Sequence, residues 1–529
     1  MTDTSFKDPG KSPKPQSDYH KNVVTAAKGG GISFIGKILE YLISLGFVFL
    51  MARMLGADQY GLYRIMVTVV SISAAICLIG LDGGLKRYIA IANKKQNTSE
   101  LWGIIQIGLG IPSVVGLLVT VIILFSAEPL ANQLFNKPDL VPILRIGALA
   151  IPFLILINSF SAISVGFKKM QFVLYGKDLS FNVSKLILSL LAIFTGMGLL
   201  GVTVAYILAA LIGFLVLAFS IHKFFSLKRG IHTAERNVRE IMNFSLPLFF
   251  TTVLNQFGRK FETIILGIYG IAASVGVFSA ILAISQVGAM GYTALRNISS
   301  PIISELHSQN KIRDLEKYYQ LITKWSLIFN LPFFLAILLL GDKMLLLFGE
   351  EYTVGSTGLI ILASGTLVNA ASGTCGTLIN MTGYSKVNFY NSLIYLISTL
   401  ALDFILIPKY ELIGAAIAGA LSIIIVNTIR TIQVYYLVNK ILPFNASFWK
   451  PIVATLLALV VTLVLRQLVF VQSPILQLVT LAVILVIVFF GTIILLKLST
   501  EDRLIVDKVY QLIGRKKKGK KQRKKNLPN

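Results

Sequence analysis

The chain has 529 residues, 55% of them hydrophobic and only 14% charged, with a formal net charge of +25. Soluble domains carry about 25% charged residues, so a soluble multidomain protein is excluded. The positive charge sits in short gaps beside apolar segments and after residue 496, a distribution that sets membrane topology and argues against a nucleic-acid partner.

Residues 1–22 are polar, carry Pro9, Pro13 and Pro15 and lack the apolar core of a signal peptide, which predicts a disordered cytosolic lead-in. Fourteen apolar runs follow, at 31–52, 61–81, 101–125, 141–166, 179–200, 202–222, 243–268, 270–295, 319–341, 355–381, 387–408, 412–437, 451–471 and 474–496. Most reach the roughly 20 residues that a bilayer-crossing helix requires. Every second gap between them is basic: six gaps hold 19 Lys or Arg, whereas the alternate side is assigned Arg53, Lys137, Lys343, Lys409 and Arg466. By the positive-inside rule the basic gaps are cytoplasmic and both termini join them. Short segments at Ala127–Phe135 and Gly341–Phe348 read as interfacial half-helices on the outer face.

Beyond residue 497, Ile505, Val506, Val509, Leu512 and Ile513 form an amphipathic stripe, followed by nine Lys or Arg between Arg515 and Lys525. This tail is expected to lie on the inner membrane surface and attract anionic lipid. RNA binding is the alternative, but no aromatic residue is interleaved among those cations.

The chain overlays itself at a shift of 213 residues: Leu199, Leu200, Gly201, Ala205 and Leu208 meet Leu412, Ile413, Gly414, Ala418 and Leu421, and Leu134–Phe135 meets Leu347–Phe348. Gly56 meets Gly270 with a slip of one. The unit holds six spans, an even number, so both copies insert the same way up. The fold class is therefore an all-α polytopic membrane protein of about fourteen transmembrane helices, with two parallel six-helix repeats and two extra C-terminal helices. The expected organisation is 1–24 lead-in, 25–225 first lobe, 226–440 second lobe, 441–497 the added pair, and 498–529 the cytosolic tail. Two like-sized lobes around a central cavity are the plan of a transporter.

Charge inside a bilayer faces a cavity or a partner. Lys37, Arg64, Arg145, Lys185, Arg259, Lys260, Lys324 and Arg430 fall within spans, against the acids Glu40, Glu262 and Asp403. Arg145, Lys324, Arg430 and Asp403 lie close to span ends and are expected to snorkel to the interface. Arg259, Lys260 and Glu262 lie deeper. Asn255, Arg259 and Glu262 share one helical face, with Gln256, Lys260 and Thr263 beside it. Lys37, Glu40, Tyr41 and Ser44 make a second stripe, on span 1, expected to face span 7 across the axis relating the lobes. Lys185 and Arg64 are plausible additions. Two readings stay open: ion pairs that lock helices, or surplus cations that bind a phosphate or diphosphate. The candidate substrate-binding set is Arg259, Lys260, Glu262, Asn255, Lys37, Glu40, Arg64 and Lys185.

Cys77 and Cys375 fall inside spans and form no CxxC motif, and His20, His222, His232 and His307 are far apart. No metal site, cofactor or catalytic residue is expected.

The run Ala52, Arg53, Met54, Leu55, Gly56, Tyr60, Gly61, Tyr63 resembles the A-R-x-L-G-x-x-x-Y-G-x-Y signature of polysaccharide-export flippases in the multidrug/oligosaccharidyl-lipid/polysaccharide superfamily. Leu81–Asp82–Gly83–Gly84–Leu85, Phe348–Gly349, Gly383–Tyr384–Ser385–Lys386 and Gly414–Ala415–Ala416–Ile417–Ala418 also resemble family positions, so the likeness covers most of residues 25–440. It implies a flippase, working by alternating access, that turns a polyprenyl-(di)phosphate-linked oligosaccharide from the cytoplasmic to the outer leaflet for surface polysaccharide synthesis. In relatives that flip the peptidoglycan precursor, helices 13 and 14 form a groove for the prenyl tail, and spans 13 and 14 here suit that role. Those relatives carry several basic residues along span 1, whereas Lys37 stands alone there before Arg53. The expected partners are that lipid-linked oligosaccharide and anionic lipids at the tail, with an unidentified coupling ion, no nucleic acid and a monomeric protein in the plasma or inner membrane. A multidrug/cation antiporter of the same superfamily is the nearest rival. A membrane glycan polymerase or ligase is a more distant one, because the longest outer gap (126–140) has no catalytic constellation.

Overall fold

The computed structural model describes residues 15–223, 234–468 and 473–496. The amphipathic stripe and polybasic tail of 498–529 lie outside the described residues. Among those described, the chain is helical with short 3₁₀ and π turns and no strand. The lead-in expected over 1–24 overlaps the first helix, which starts at Pro15.

The first lobe comprises α1 (Pro15–Cys77), α2 (Leu81–Lys95), α3 (Thr98–Pro129), α4 (Leu140–Ala148), α5 (Ile151–Gly166), α6 (Met170–Val173), α7 (Phe181–Phe194) and α8 (Gly198–His222). The second comprises α9 (Val238–Tyr269), α10 (Ala272–Ser308), α11 (Ile312–Leu346), α12 (Ser356–Ala371), α13 (Cys375–Met381) and α14 (Ser385–Leu437). Finally, α15 (Trp449–Leu468) and α16 (Pro474–Leu495) pack on α11 through Ile328, Leu335, Leu339, Ala458, Leu481 and Phe489.

Among the described residues, nine helices are long and apolar enough to cross a membrane, and ten if the pair α4 and α5, bent by 41°, is one span. Two of the nine are double. The Gly36–Cys77 part of α1 has 42 residues and α14 has 53, about 63 Å and 80 Å of helix at 1.5 Å per residue, or twice and more the hydrocarbon thickness of about 30 Å. Each is broken near the expected outer gap. In α1 the break is Gly56 at φ 78°, ψ 169°, a conformation that glycine reaches without a Cβ clash. In α14 it is Glu411 at φ 44°, three residues after Pro408. With α7 and the centrally charged α9 as the remaining crossings, the fourteen expected spans are accounted for. The expected half-helices are instead the ends of spans: α3 runs to Pro129 and on through a π turn over Leu130–Leu134, and α11 runs to Leu346.

The lobes meet where small residues let backbones touch, the way helices associate in lipid. A Cβ on Gly61 would lie 1.8 Å from the Ala272 carbonyl oxygen, and one on Gly276 would lie 2.1 Å from that of Ala57. On the inner side a Cβ on Gly80 (φ 71°) would lie 2.2 Å from the Ser245 oxygen, and one on Gly84 would lie 2.4 Å from Ser245 Oγ. The signature resembled at 52–63 and the Leu81–Leu85 run are therefore contact surfaces between lobes, one at each end of the seam.

Gly61→Ala must push α10 away from α1 and is expected to cost about 1–3 kcal/mol as overpacking does, read as a lower Tm of the detergent-solubilised protein. Gly46→Ala, whose added Cβ has no neighbour within 4 Å, is expected to leave Tm unchanged or raise it.

Candidate functional site: the seam between the lobes

At the end that the loop charges predict to face outward, the seam is closed by two reciprocal contacts, one from each repeat. After α3, Phe135 is buried against Gly267 of α9. Two residues on, the three N–H groups of Lys137 Nζ donate to the carbonyls of Phe135, Gly267 and Gly270 at 2.9, 2.6 and 2.8 Å. Gly267 and Gly270 close α9, so the ammonium satisfies carbonyls that a helix C-terminus leaves unpaired and sits at the negative end of its dipole. Burial pulls Lys137 below its ordinary pKa, opposed by the charges of Asp58 and Glu411.

The second lobe answers in kind. After α11, Phe348 packs edge-on against Phe49 at 5.5 Å, and Glu351 Oε1 accepts the Ala57 N–H at 2.7 Å, just past the Gly56 break. Tyr352 donates to the Ala52 carbonyl at 3.3 Å, and Arg53 donates to that of Leu347 at 2.8 Å. The matched pairs Leu134–Phe135 and Leu347–Phe348, and the matched glycines 56 and 270, thus mark one device used twice.

Deeper in, polar side chains reach across the seam to uncharged acceptors. Lys260 Nζ of α9 donates to Ser71 Oγ at 2.6 Å, Arg64 Nε of α1 donates to Ser279 Oγ of α10 at 3.0 Å, and Tyr41 donates to Gln286 Oε1 of α10 at 2.6 Å. Lys260 lies nine residues before the end of α9 at Tyr269, about 14 Å in and so near mid-membrane. The span 1 stripe, expected opposite span 7, instead meets α10 through Tyr41. A two-fold axis along the membrane normal sets the first helix of one lobe against the second of the other.

The remaining expected site residues divide. Lys37 pairs with Glu40 and lies 3.6 Å from Asp178, a buried acid in the π turn over Leu174–Ser180, so the exposed Lys37 and the partly exposed Glu40 belong to an ion cluster made by residues of the first lobe alone. Lys185 is held within the same lobe, its Nζ over the rings of Phe47 at 4.5 Å and Phe181 at 5.3 Å and donating to Asn182 at 3.3 Å. Glu262 turns away from the seam into the second lobe: it is buried, and a Cβ on Gly419 of α14 would lie 2.9 Å from its Oε1. The side chains of Arg259 and Asn255 lie outside the described residues, although their backbone is part of α9.

Two of the groups expected to snorkel do not. Asp403 is fully buried, with no hydrogen-bond partner for either carboxyl oxygen among the described residues, and lies near Glu262. Lys324 is 3% exposed inside the second lobe. Arg145 does reach the surface, 3.4 Å from Glu128, and Arg430 is half-buried with its Nε unpartnered. Distance from a span end was the wrong guide for Asp403 and Lys324, because it ignores which side of the helix faces lipid. Asp178, Lys137 and Glu351 were missed because they lie in gaps, where charge is ordinary. The shared position of Lys137 and Glu351, two and three residues after the matched Leu-Phe pairs, was the available signal.

At the inner end, α2 docks on α9. Arg87 stands 4.2 Å over the Phe244 ring, Tyr88 donates to the Glu240 carbonyl at 3.4 Å, and Arg236 donates to Gln106 at 2.8 Å.

Two inverted-charge latches around a polar mid-membrane seam, in duplicated six-span lobes, define a two-lobed multi-pass membrane protein. The comparisons with known proteins narrow the class. Residues 26–307, more than half of the chain, match the family model described as polysaccharide biosynthesis protein, and residues 247–405 match the MatE model. The chain belongs to the polysaccharide biosynthesis protein family. It is 30% identical over 221 residues to the capsular polysaccharide biosynthesis protein CapF of Staphylococcus aureus, covering 41% of this chain and 54% of that one, about half the relative's length. It is 24% identical over 409 residues to the putative O-antigen transporter of Shigella flexneri, covering 74% of this chain and 94% of that one. The lipid II flippase MurJ in an inward closed conformation shares the fold, with a TM-score of 0.69 at 17% identity over 87% of this chain and 98% of that one.

Lys137→Gln removes a charged donor to three carbonyls, a loss of about 1.5–3 kcal/mol or tenfold and more in closure. With both native cysteines replaced and Ser279→Cys introduced, labelling by a membrane-impermeant maleimide is expected to rise about tenfold in that variant.

Proposed function

We propose that the chain is a flippase that carries a polyprenyl-(di)phosphate-linked oligosaccharide from the cytoplasmic to the outer leaflet by alternating access of its two lobes, as a step in surface polysaccharide synthesis. Membership of the family supports it, as do the relatives' names, which include a capsular polysaccharide biosynthesis protein and an O-antigen transporter. The observation that carries it is the pair of cations, Lys260 from one lobe and Arg64 from the other, each bonded across the seam to a serine hydroxyl.

A hydroxyl is a neutral acceptor, and hydrogen bonds from a cation to phosphate oxygens are roughly twice as strong as neutral ones. A head group entering the seam takes over both cations from Ser71 and Ser279. That exchange removes two links between the lobes and couples binding to their separation. The ligand shifts the balance only through such a difference in contacts between the two states. Arg259, on the same helix one residue from Lys260, adds charge to the same depth in this reading. Lys37, Glu40, Asp178 and Lys185 position the first lobe around the seam.

The protein acts in the plasma or inner membrane as a monomer, with both termini cytoplasmic as the 19 basic residues of alternate gaps require. It is a transporter without a catalytic centre of its own. A cation antiporter draws support from one feature, the buried acids Glu262 and Asp403, but these lie inside the second lobe rather than between the lobes.

Lys260→Gln and Arg64→Gln are each expected to lower surface glycan export at least tenfold while the protein accumulates normally in the membrane. Lys260→Arg, which keeps the charge, is expected to retain most of it. Export at the parental level in the double Gln variant refutes the seam as the head-group site, and a loss of drug efflux with intact glycans favours the antiporter.

A further inference from the structure

On the outer side, where the positive-inside pattern leaves few cations, three of them converge from distant parts of the chain. Arg53 ends the first crossing, Lys343 lies in the last turn of α11, and Arg466 lies near the end of α15. Arg53 and Lys343 line a pocket of 460 Å³ together with Glu350 and the start of α16 at Ser473, Pro474 and Ile475. Burial pulls Lys343 below its ordinary pKa, the Arg466 charge adds to this and Asp342 opposes it, and Arg466 donates to the Leu339 carbonyl at 3.1 Å. Among the described residues the hydrogen-bond acceptors of the two pocket cations are neutral: Arg53 donates to the Leu347 carbonyl at 2.8 Å, and Lys343 donates to Gln477.

The pocket borders the first turn of α16. Ile475, Leu476, Val479 and Val483 on that helix are each more than half exposed, an apolar lane leading away from the charged mouth. A cationic mouth at the interface with an apolar lane beside it suits an amphiphile with an anionic head.

The geometry points to a second, outer-leaflet site in which Arg53 and Lys343 hold the phosphate or diphosphate head of a lipid whose chain runs along α16. That the lipid is the carrier of the transported glycan rests on the flippase reading above. The site itself does not, since it is separate from Lys260 and Arg64. Arg53 belongs to the first lobe and Lys343 to the second, so the site is complete only while the outer face is shut. A lipid bound there favours the shut state by that difference in contacts.

The test is equilibrium binding of radiolabelled polyprenyl diphosphate to the full-length protein in detergent, in a Lys260→Gln/Arg64→Gln background that removes the seam cations. Retained saturable binding that falls at least tenfold on adding Arg53→Gln and Lys343→Gln, and returns with Arg53→Lys and Lys343→Arg, is the expected result. The charge-keeping pair separates loss of the site from loss of the fold. Inorganic diphosphate and neutral polyprenol are each expected to compete at least tenfold more weakly than the diphosphate lipid. Equal competition by inorganic diphosphate overturns the lipid assignment, and binding that disappears in the seam background alone overturns the outer site. The flippase reading is judged separately by glycan export in the seam variants, which this binding measurement does not touch.

Discussion

A helix that must turn at the membrane surface leaves backbone carbonyls and amides without partners, and hydrocarbon offers none. This chain meets that constraint at Gly56 and at Gly270, the turning points between the first and second crossings of each lobe. It does so by having the opposite lobe supply the missing partner. Lys137 gives three N–H groups, two of them to the closing carbonyls of α9, and Glu351 accepts the amide just after Gly56. The lobes are thus tied together by groups that each needs in order to finish its own turn. Parting them exposes those groups, unless water at the outer interface replaces the contacts.

The seam below has the same character. Its cross-lobe hydrogen bonds run to hydroxyls and an amide: Ser71 and Ser279 accept from the cations Lys260 and Arg64, and Gln286 accepts from the Tyr41 hydroxyl. An acid at those positions would have fixed the lobes by a charged pair in a low-dielectric setting, which is costly to break. Neutral acceptors hold the side chains in place and remain exchangeable for a stronger anion. The acids that the chain does bury, Glu262 and Asp403, are kept together within one lobe, and Asp178 is kept with Lys37 in the other. Charge that stabilises a lobe is segregated from charge placed between lobes.

The glycine-rich runs resembling the family signature acquire a physical meaning here. Gly61 and Gly276 allow backbone contact at the outer end of the seam, and Gly80 and Gly84 allow it at the inner end. They shape how the lobes touch rather than what the cavity recognises.

Hydropathy, the sign of loop charge and the 213-residue repeat are sums over local sequence. They were enough to count the crossings, divide the chain into duplicated lobes and single out Lys260 as too deep for lipid to accept, with Arg64 as an addition. Which group each cation meets was settled only in three dimensions. Tyr41 and Gln286 are 245 residues apart and Lys260 and Ser71 are 189 apart, and no periodicity within a helix encodes the angle at which two lobes are set. Asp403 illustrates the same limit: its place near a span end suggested an escape to the interface, yet its side of α14 faces Glu262 and the lobe interior. Sequence spacing gives depth along a helix, whereas the direction a side chain faces in the assembled bundle depends on how every neighbouring helix packs around it.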